Sequence, residues 1–269
     1  MVERVRKDIL EKIDQIFDLL KEEVEEVLSY KERIIKNIKD YNPNNFLKLD
    51  IDEKKIANYF DHTYLKPDCR YENIDKLAEE TLKYGFKAIC IPPTFVGYAK
   101  SRYKDLLVAT VVGFPLGYTF STTKEEETLR SLSFNADEID MVQNFSMLKN
   151  KQYRYVFDEI FSLKKICSDK CLKVILETSY LTFEEKIVSS ILSYCAGADF
   201  IKTSTGFSDK GATLEDIVLM KMIFWDRKVK ASGGVKTYDF VKELIEHGVD
   251  RIGASASCQI VEEFKNQKK

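Results

Sequence analysis

Apolar residues recur at intervals of three and four from the start of the chain: Val2, Val5, Ile9, Ile13, Ile16, Leu20, Val24 and Val27, with glutamate and lysine between them. That is the period of one apolar helix face. It predicts a long amphipathic helix over residues 1 to about 40, up to ~60 Å at 1.5 Å per residue. Lys31 interrupts the stripe, and Asn42-Pro43-Asn44-Asn45 marks its end. Residues 1–46 therefore read as a helical extension. Its apolar face has two possible uses, packing on the rest of its own chain or forming an oligomer contact. No catalytic residue is suggested there.

From residue 51 the pattern changes to short β-branched runs separated by helical stretches, the signature of a parallel sheet with crossover helices. Eight such runs occur: a segment ending at Asp61-His62-Thr63, then Ala88 to Ile91, Leu107 to Val112, Glu138 to Val142, Leu172 to Leu176, Phe200 to Thr203, Val229 to Ser232 and Arg251 to Gly253. Helices are expected over Asn73 to Tyr84, Lys124 to Asn135, Tyr153 to Asp169, Thr182 to Ala196, Leu214 to Ile223 and Tyr238 to His247. Eight alternations predict an α/β fold, a closed (β/α)₈ barrel over residues 47–269, with an open doubly wound sheet as the alternative.

Composition narrows the partners. The chain carries 42 Lys+Arg against 44 Asp+Glu, a formal net charge of −2, so no global field draws nucleic acid or an anionic membrane. No run approaches the ~18 apolar residues of a membrane span, which leads to the expectation of a soluble, cytoplasmic protein. Six cysteines are scattered through 269 residues, as in a reducing compartment. Only two histidines, His62 and His247, are present, and the closest cysteine pair, Cys167 and Cys171, has no second pair nearby. No metal site is expected from that spacing.

Catalytic groups of such barrels lie at the C-terminal ends of the strands. Asp61, Cys90, Asp140, Glu177, Lys202 and Lys230 all sit in or just after strand runs, where an unpaired charge would be costly to bury. Lys202 and Lys230 fall on the sixth and seventh strands, adjacent in a barrel. A lysine with an ordinary pKa near 10.4 is only about 0.04% free amine at pH 7. Two ammonium groups ~6 Å apart at an effective dielectric of ~20 repel by roughly 3 kcal/mol, or about two pKa units, and partial burial acts in the same direction. Lys202 is thus the expected nucleophile toward a carbonyl, forming an iminium that serves as electron sink without a metal or cofactor. Asp140 and Lys230 are expected to move protons, alone or through a water. Gly233-Gly234, Gly253-Ala-Ser255 and Thr205-Gly206-Phe207 follow strands seven, eight and six, where backbone N–H groups of barrels commonly hold phosphate. A small phosphorylated sugar is the expected substrate.

Five segments, Asp61-His-Thr-Tyr-Leu-Lys-Pro67, Val111-Val-Gly-Phe-Pro-Leu-Gly117, Ala136-Asp-Glu-Ile-Asp-Met-Val142, Lys202-Thr-Ser-Thr-Gly-Phe207 and Lys230-Ala-Ser-Gly-Gly234, resemble the deoxyribose-phosphate aldolase family in order and spacing from about residue 51 to 262. The resemblance implies a class I aldolase that reversibly splits 2-deoxy-D-ribose 5-phosphate into D-glyceraldehyde 3-phosphate and acetaldehyde, with no cofactor. It implies Lys202 as the Schiff-base lysine and Lys230 and Asp140 as the proton-transfer pair. Substrate hydroxyl contacts fall on Asp61, Cys90 and Thr205, and the phosphate pocket on Gly206, Gly233, Gly234, Gly253 and Ser255.

Three departures stand out. Ser255 is followed by Ala256 where the family usually has a second serine, Gln143-Asn-Phe-Ser146 replaces an expected apolar–Asn–apolar–Gly turn, and Lys210 occupies a loop often filled by glycine. Lys210 has two readings, a compensating charge near phosphate or a solvated side chain. The rival functions are a Schiff-base aldolase for another phosphosugar, a phosphosugar-binding protein without turnover, and a structural oligomer built on the extension. A homo-oligomer is expected, with a dimer favoured, and His62 is read as structural.

Overall fold

The computed structural model describes residues 1–46 and 52–267. Among the described residues, eight parallel strands close in chain order: β1 (Phe60–Thr63), β2 (Ala88–Ile91), β3 (Val108–Val112), β4 (Glu138–Val142), β5 (Cys171–Ile175), β6 (Phe200–Lys202), β7 (Lys228–Ser232) and β8 (Arg251–Ala254). The ring is completed by β8 against β1, with Phe60 opposite Ile252 and Asp61 opposite Gly253. That pairing excludes the open doubly wound sheet. The boundary between residues 46 and 47, and residue 51 where the alternation was read to begin, fall at or within the segment 47–51, outside the described residues.

Among the described residues, three α-helices precede β1: α1 (Val2–Leu20), α2 (Lys31–Asp40) and α3 (Glu53–Ala57). Between and after the strands run α4 (Tyr71–Tyr84), α5 (Val96–Arg102), α6 (Ser121–Ser133), α7 (Phe145–Lys149), α8 (Tyr153–Cys167), α9 (Phe183–Cys195), α10 (Leu214–Ile223), α11 (Tyr238–Glu246) and α12 (Ser257–Gln267). The short α5 and α7 escape a periodicity reading because five to seven residues do not complete two turns.

The lower rim is braced three times in one way. Asp137, Asp199 and Asp250 each stand one residue before an even-numbered strand. Each carboxylate accepts the N–H of a residue on the preceding strand, Val108, Leu172 or Val229, at 2.8–2.9 Å. Each also binds a lysine from an outer helix, Lys100, Lys164 or Lys221, at 2.6–2.9 Å. Strand starts that would otherwise present unpaired donors at the barrel's bottom are satisfied in this way.

The extension differs from the expected single helix. α1 stops at Leu20, Val24 leaves helical geometry at φ −133° and ψ 79°, and a 3₁₀ segment (Glu25–Tyr30) turns the chain back into α2. Val24 and Val27 remain buried through the turn, so a 3–4 spacing persisted where the helix did not. Lys31, read as an interruption, starts α2, pairs with Asp14 at 2.7 Å and lies over the Phe17 ring. The hairpin buries its apolar face on α9 and α10 of the same chain. Asn37 donates to the Ile223 carbonyl and Asp226, and Tyr41 donates to the His247 carbonyl. This cover explains α10, whose residues from Asp216 to Ile223 are all buried. One side packs on β7, the other under α1 and α2.

Candidate active site

Inward-facing residues alternate along each strand, and the barrel interior divides by chemistry. On β2 and β3, Cys90, Ala109 and Val111 form an apolar cluster with Leu65 and Phe114. The other strands bring charge inward, around the ring of Phe200: Asp61 from β1, Glu138 and Asp140 from β4, Lys173 from β5, Lys202 from β6, Lys230 from β7 and Arg251 from β8. All of them are buried. Four cations face three carboxylates, so one positive charge is in excess when every group is ionised.

Asp140 is the hub. Its Oδ1 accepts from Lys173 Nζ at 2.7 Å, and its Oδ2 accepts from Lys202 Nζ at 2.9 Å and Lys230 Nζ at 2.8 Å. Burial alone would raise this carboxyl's pKa, but the three ammonium groups outweigh it and hold the group well below the usual carboxylate range. Lys230 also donates to Asp61, whose other oxygen is bonded by Arg251. Burial works against the Lys230 charge, yet Asp140 and Asp61 raise its proton affinity above the ordinary lysine value. Lys173 is held protonated in the same sense, by Asp140 and by Glu138 at 2.6 Å.

This corrects one step of the sequence argument. Lys202 and Lys230 are direct register partners, but Lys230 is not a bare positive neighbour, because two carboxylates neutralise it. Asp140 Oδ2 stands between the two lysines and is bonded by both, so their ammonium groups do not face each other unscreened. Lys173, Glu138 and Arg251 were missed as site residues, although each lies in a strand run correctly located and carries a charge inside it. Gly253 belongs to the same packing: a Cβ there would lie 3.0 Å from Lys230 Cε and 3.2 Å from Ser232 Cβ, so its lack of a side chain makes room for the lysine stem.

Above the network lies a cavity of about 650 Å³. Lys202, Thr205, Gly206, Ser232, Gly233, Gly234, Gly253 and Ser255 line it. Asp61, Cys90, Asp140 and Lys230 do not; they sit behind Lys202, each fully buried. Both Asp61 oxygens are occupied by Lys230 and Arg251, and burial raises the pKa of the Cys90 thiol. The loop after β6 closes on the loop after β7, with Ala212 N–H donating to the Gly233 carbonyl at 3.0 Å. A Cβ on Gly211 would fall 2.1 Å from that carbonyl oxygen, which makes glycine obligatory at this crossing.

Glu177, just after β5, orients the same loop. It accepts the Thr205 N–H at 3.1 Å, the Thr205 hydroxyl, and the Ser208 hydroxyl at 2.8 Å. Gln143 is also accounted for. Its Nε2 donates to the Leu176 carbonyl and its Oε1 accepts from Ser189, while Asn144 caps α7 through Met147 N–H. Lys210 is exposed and lies off the cavity wall; Lys236, missed from the sequence, lies on it.

A model of the family described as DeoC/LacD family aldolase matches residues 55–256. The deoxyribose-phosphate aldolase of Caldanaerobacter subterraneus subsp. tengcongensis is 48% identical over 227 residues, covering 82% of this chain and 98% of its own. That of Thermococcus kodakarensis is 45% identical over 219 residues, covering 79% and 98%. The structure described as the unique tetrameric deoxyribose phosphate aldolase from Aeropyrum pernix superposes with a TM-score of 0.76 at 26% identity, covering 88% of this chain and 98% of that one. A closed barrel with a cavity-facing lysine on β6, matched by a family model over residues 55–256, leads to one conclusion: this chain belongs to the DeoC/LacD family of aldolases.

Proposed function

We propose that the protein reversibly cleaves 2-deoxy-D-ribose 5-phosphate to D-glyceraldehyde 3-phosphate and acetaldehyde, with Lys202 as Schiff-base nucleophile. One observation carries this reading: of the seven charged groups in the barrel interior, Lys202 lines the cavity, so it is the amine that a carbonyl reaches. The amine adds to C1 of the open-chain sugar, water leaves, and an iminium forms. Loss of the C3 hydroxyl proton breaks the C2–C3 bond, releasing D-glyceraldehyde 3-phosphate and leaving the electron pair as an enamine on Lys202. Protonation at C2 and hydrolysis release acetaldehyde and restore the amine. The iminium is the electron sink, so the reaction calls for no cofactor.

Asp140 and Lys230 move the protons in this proposal, through the shared Oδ2 contact and a water. Asp61 and Cys90 shape the hydroxyl end from behind Lys202, and Thr205, aligned by Glu177, contacts a substrate hydroxyl. The phosphate rests on the backbone of Gly206, Gly233, Gly234 and Gly253 and on the Ser255 hydroxyl, all on the cavity wall. The division into an extension, 1–46, and an aldolase barrel, 47–269, belongs to the same reading. So does a homo-oligomer, with a dimer as the simplest closed form; the Aeropyrum pernix relative is described as tetrameric. No described helix is long and apolar enough to cross a membrane. The six cysteines are free, which supports a cytoplasmic setting.

The test is borohydride reduction in the presence of 2-deoxyribose 5-phosphate followed by peptide mass mapping. A substrate-dependent adduct on Lys202, absent from Lys202→Met, is expected. An adduct on Lys230 would exchange the two lysines' roles, and binding without any adduct would leave a phosphosugar-binding protein.

A further inference from the structure

Outside the charged interior, His62 projects from the outer face of β1 toward α4 and α12, and two other donor groups meet it there. Its Nε2 lies 2.8 Å from Glu80 Oε2 and 3.9 Å from Cys258 Sγ. The candidate ligand atoms of all three residues lie within 4.8 Å of one another. One imidazole nitrogen, one thiol and one carboxylate make a donor set that suits a borderline divalent ion such as zinc. We propose that His62, Glu80 and Cys258 form a three-ligand zinc site whose fourth position opens, through water, to the cavity above.

The geometry supports this in three ways. Tetrahedral zinc with bonds of about 2.0–2.3 Å sets ligand atoms roughly 3.3–3.8 Å apart. The His62–Glu80 pair must open by about half an ångström, which a glutamate side chain supplies without backbone movement. His62 Nδ1 is turned toward the Ala254 backbone, short of full hydrogen-bond geometry, which leaves Nε2 as the ligating atom. His62 and Glu80 both line the cavity, giving an entry path, and Glu80 and Cys258 are only partly buried.

Without metal, Cys258 is a free thiol. Binding replaces that thiol proton, which leaves to solvent, while the imidazole carries its N–H on Nδ1 toward Ala254. Lys76 Nζ stands 3.8 Å from the other Glu80 oxygen and competes weakly for it. The bound ion would tie β1, α4 and α12 together beside Ala254-Ser255, at the wall of the anion pocket. The ligands stand 18 and 178 residues apart in sequence order, through Glu80, so no local spacing reveals them.

The experiment is zinc titration of the full chain against a chromogenic chelator, with cobalt(II) substitution as a spectroscopic probe of thiolate ligation. One zinc per chain and a thiolate-to-cobalt charge-transfer band are expected. Cys258→Ala should abolish the band and weaken zinc binding by more than about tenfold, and Glu80→Gln, at a partly exposed position, should weaken it as well. Cys69→Ala, at another partly exposed free cysteine, should change neither. Equal zinc affinity in the wild type and Cys258→Ala, or a cobalt spectrum without the thiolate band, overturns the proposal, as does no binding at micromolar zinc. No readout depends on turnover, so failure here leaves the aldolase reading untouched.

Discussion

Replacing Asp140 by asparagine keeps the shape of the hub and removes its charge. In the wild type one carboxylate oxygen serves Lys173 and the other serves both Lys202 and Lys230. An amide can accept at one side only, so its NH₂ must face an ammonium group at hydrogen-bond distance. The gross attraction lost is about 4 kcal/mol per pair at ~4 Å and an effective dielectric of ~20. After relaxation, breaking a buried pair costs about 3–5 kcal/mol of stability. The Asp140 carboxyl is held below its unfolded value of 3.8, so its contribution is fully present above that pH and is lost as pH falls toward the folded value. Urea denaturation from pH 7 downward should therefore show the wild-type–Asp140→Asn gap widest near neutrality and narrowing below about pH 4. Turnover of 2-deoxyribose 5-phosphate, followed by coupled detection of D-glyceraldehyde 3-phosphate, should fall by about 10²–10⁴, the range for a lost acid–base group. A variant with kcat within about threefold of wild type and a pH-independent stability gap would refute both the hub and its proposed role.

Two further changes separate structure from chemistry. Lys124 and Glu159 form a fully buried pair at 2.7 Å, with Lys124 also donating to the Val142 carbonyl. Lys124→Met should cost about 3–5 kcal/mol in denaturant unfolding by stranding Glu159, whereas Lys124→Met/Glu159→Leu should cost less than the single change; strict additivity would refute the coupling. At the lower rim, Asp250→Asn keeps one oxygen for the Val229 N–H but removes the charge paired with Lys221, both of which bind Oδ2 in the wild type. It should lower stability by about 1–3 kcal/mol and leave kcat within about twofold, since the barrel's lower face supports stability rather than chemistry.

Strand positions were legible because each carries a β-branched run bounded by polar residues, and the eight runs match the observed strands to within one or two residues. The charged residues of the barrel interior were legible for a related reason: a charge inside such a run, as at Lys202 or Asp140, has no apolar explanation. The same rule applied evenly would have found Lys173 and Arg251, and Glu138 two residues before Asp140 on the same face. What the chain could not disclose was partnership. Nothing local says that Lys230 lies between Asp61 and Asp140, 169 and 90 residues away, and so it was read as a bare positive charge. The turn in the extension was hidden because apolar residues at 20, 24 and 27 fit either a helix or a tight 3₁₀ turn. Its docking surface did leave a trace: Asp216–Ile223 has no polar face, the mark of a helix covered on both sides.

The barrel interior shows why stability and chemistry are placed apart. Filling a small barrel with apolar side chains is feasible, as Cys90, Ala109 and Val111 do on one side. The six remaining strands contribute seven charged groups, which on general grounds is no more stable than an apolar filling of equal volume, and can be less so. Under the proposed chemistry their value lies in pre-orientation, because fixed carboxylates and ammonium groups surround Lys202 before any sugar arrives. The stabilising burial must then come from the outside of the sheet. There the helical shell, the Asp–Lys braces below the strands, and the α1–α2 hairpin over α9 and α10 supply it. The extension meets α10, and α10 in turn packs on β7, the strand that carries Lys230.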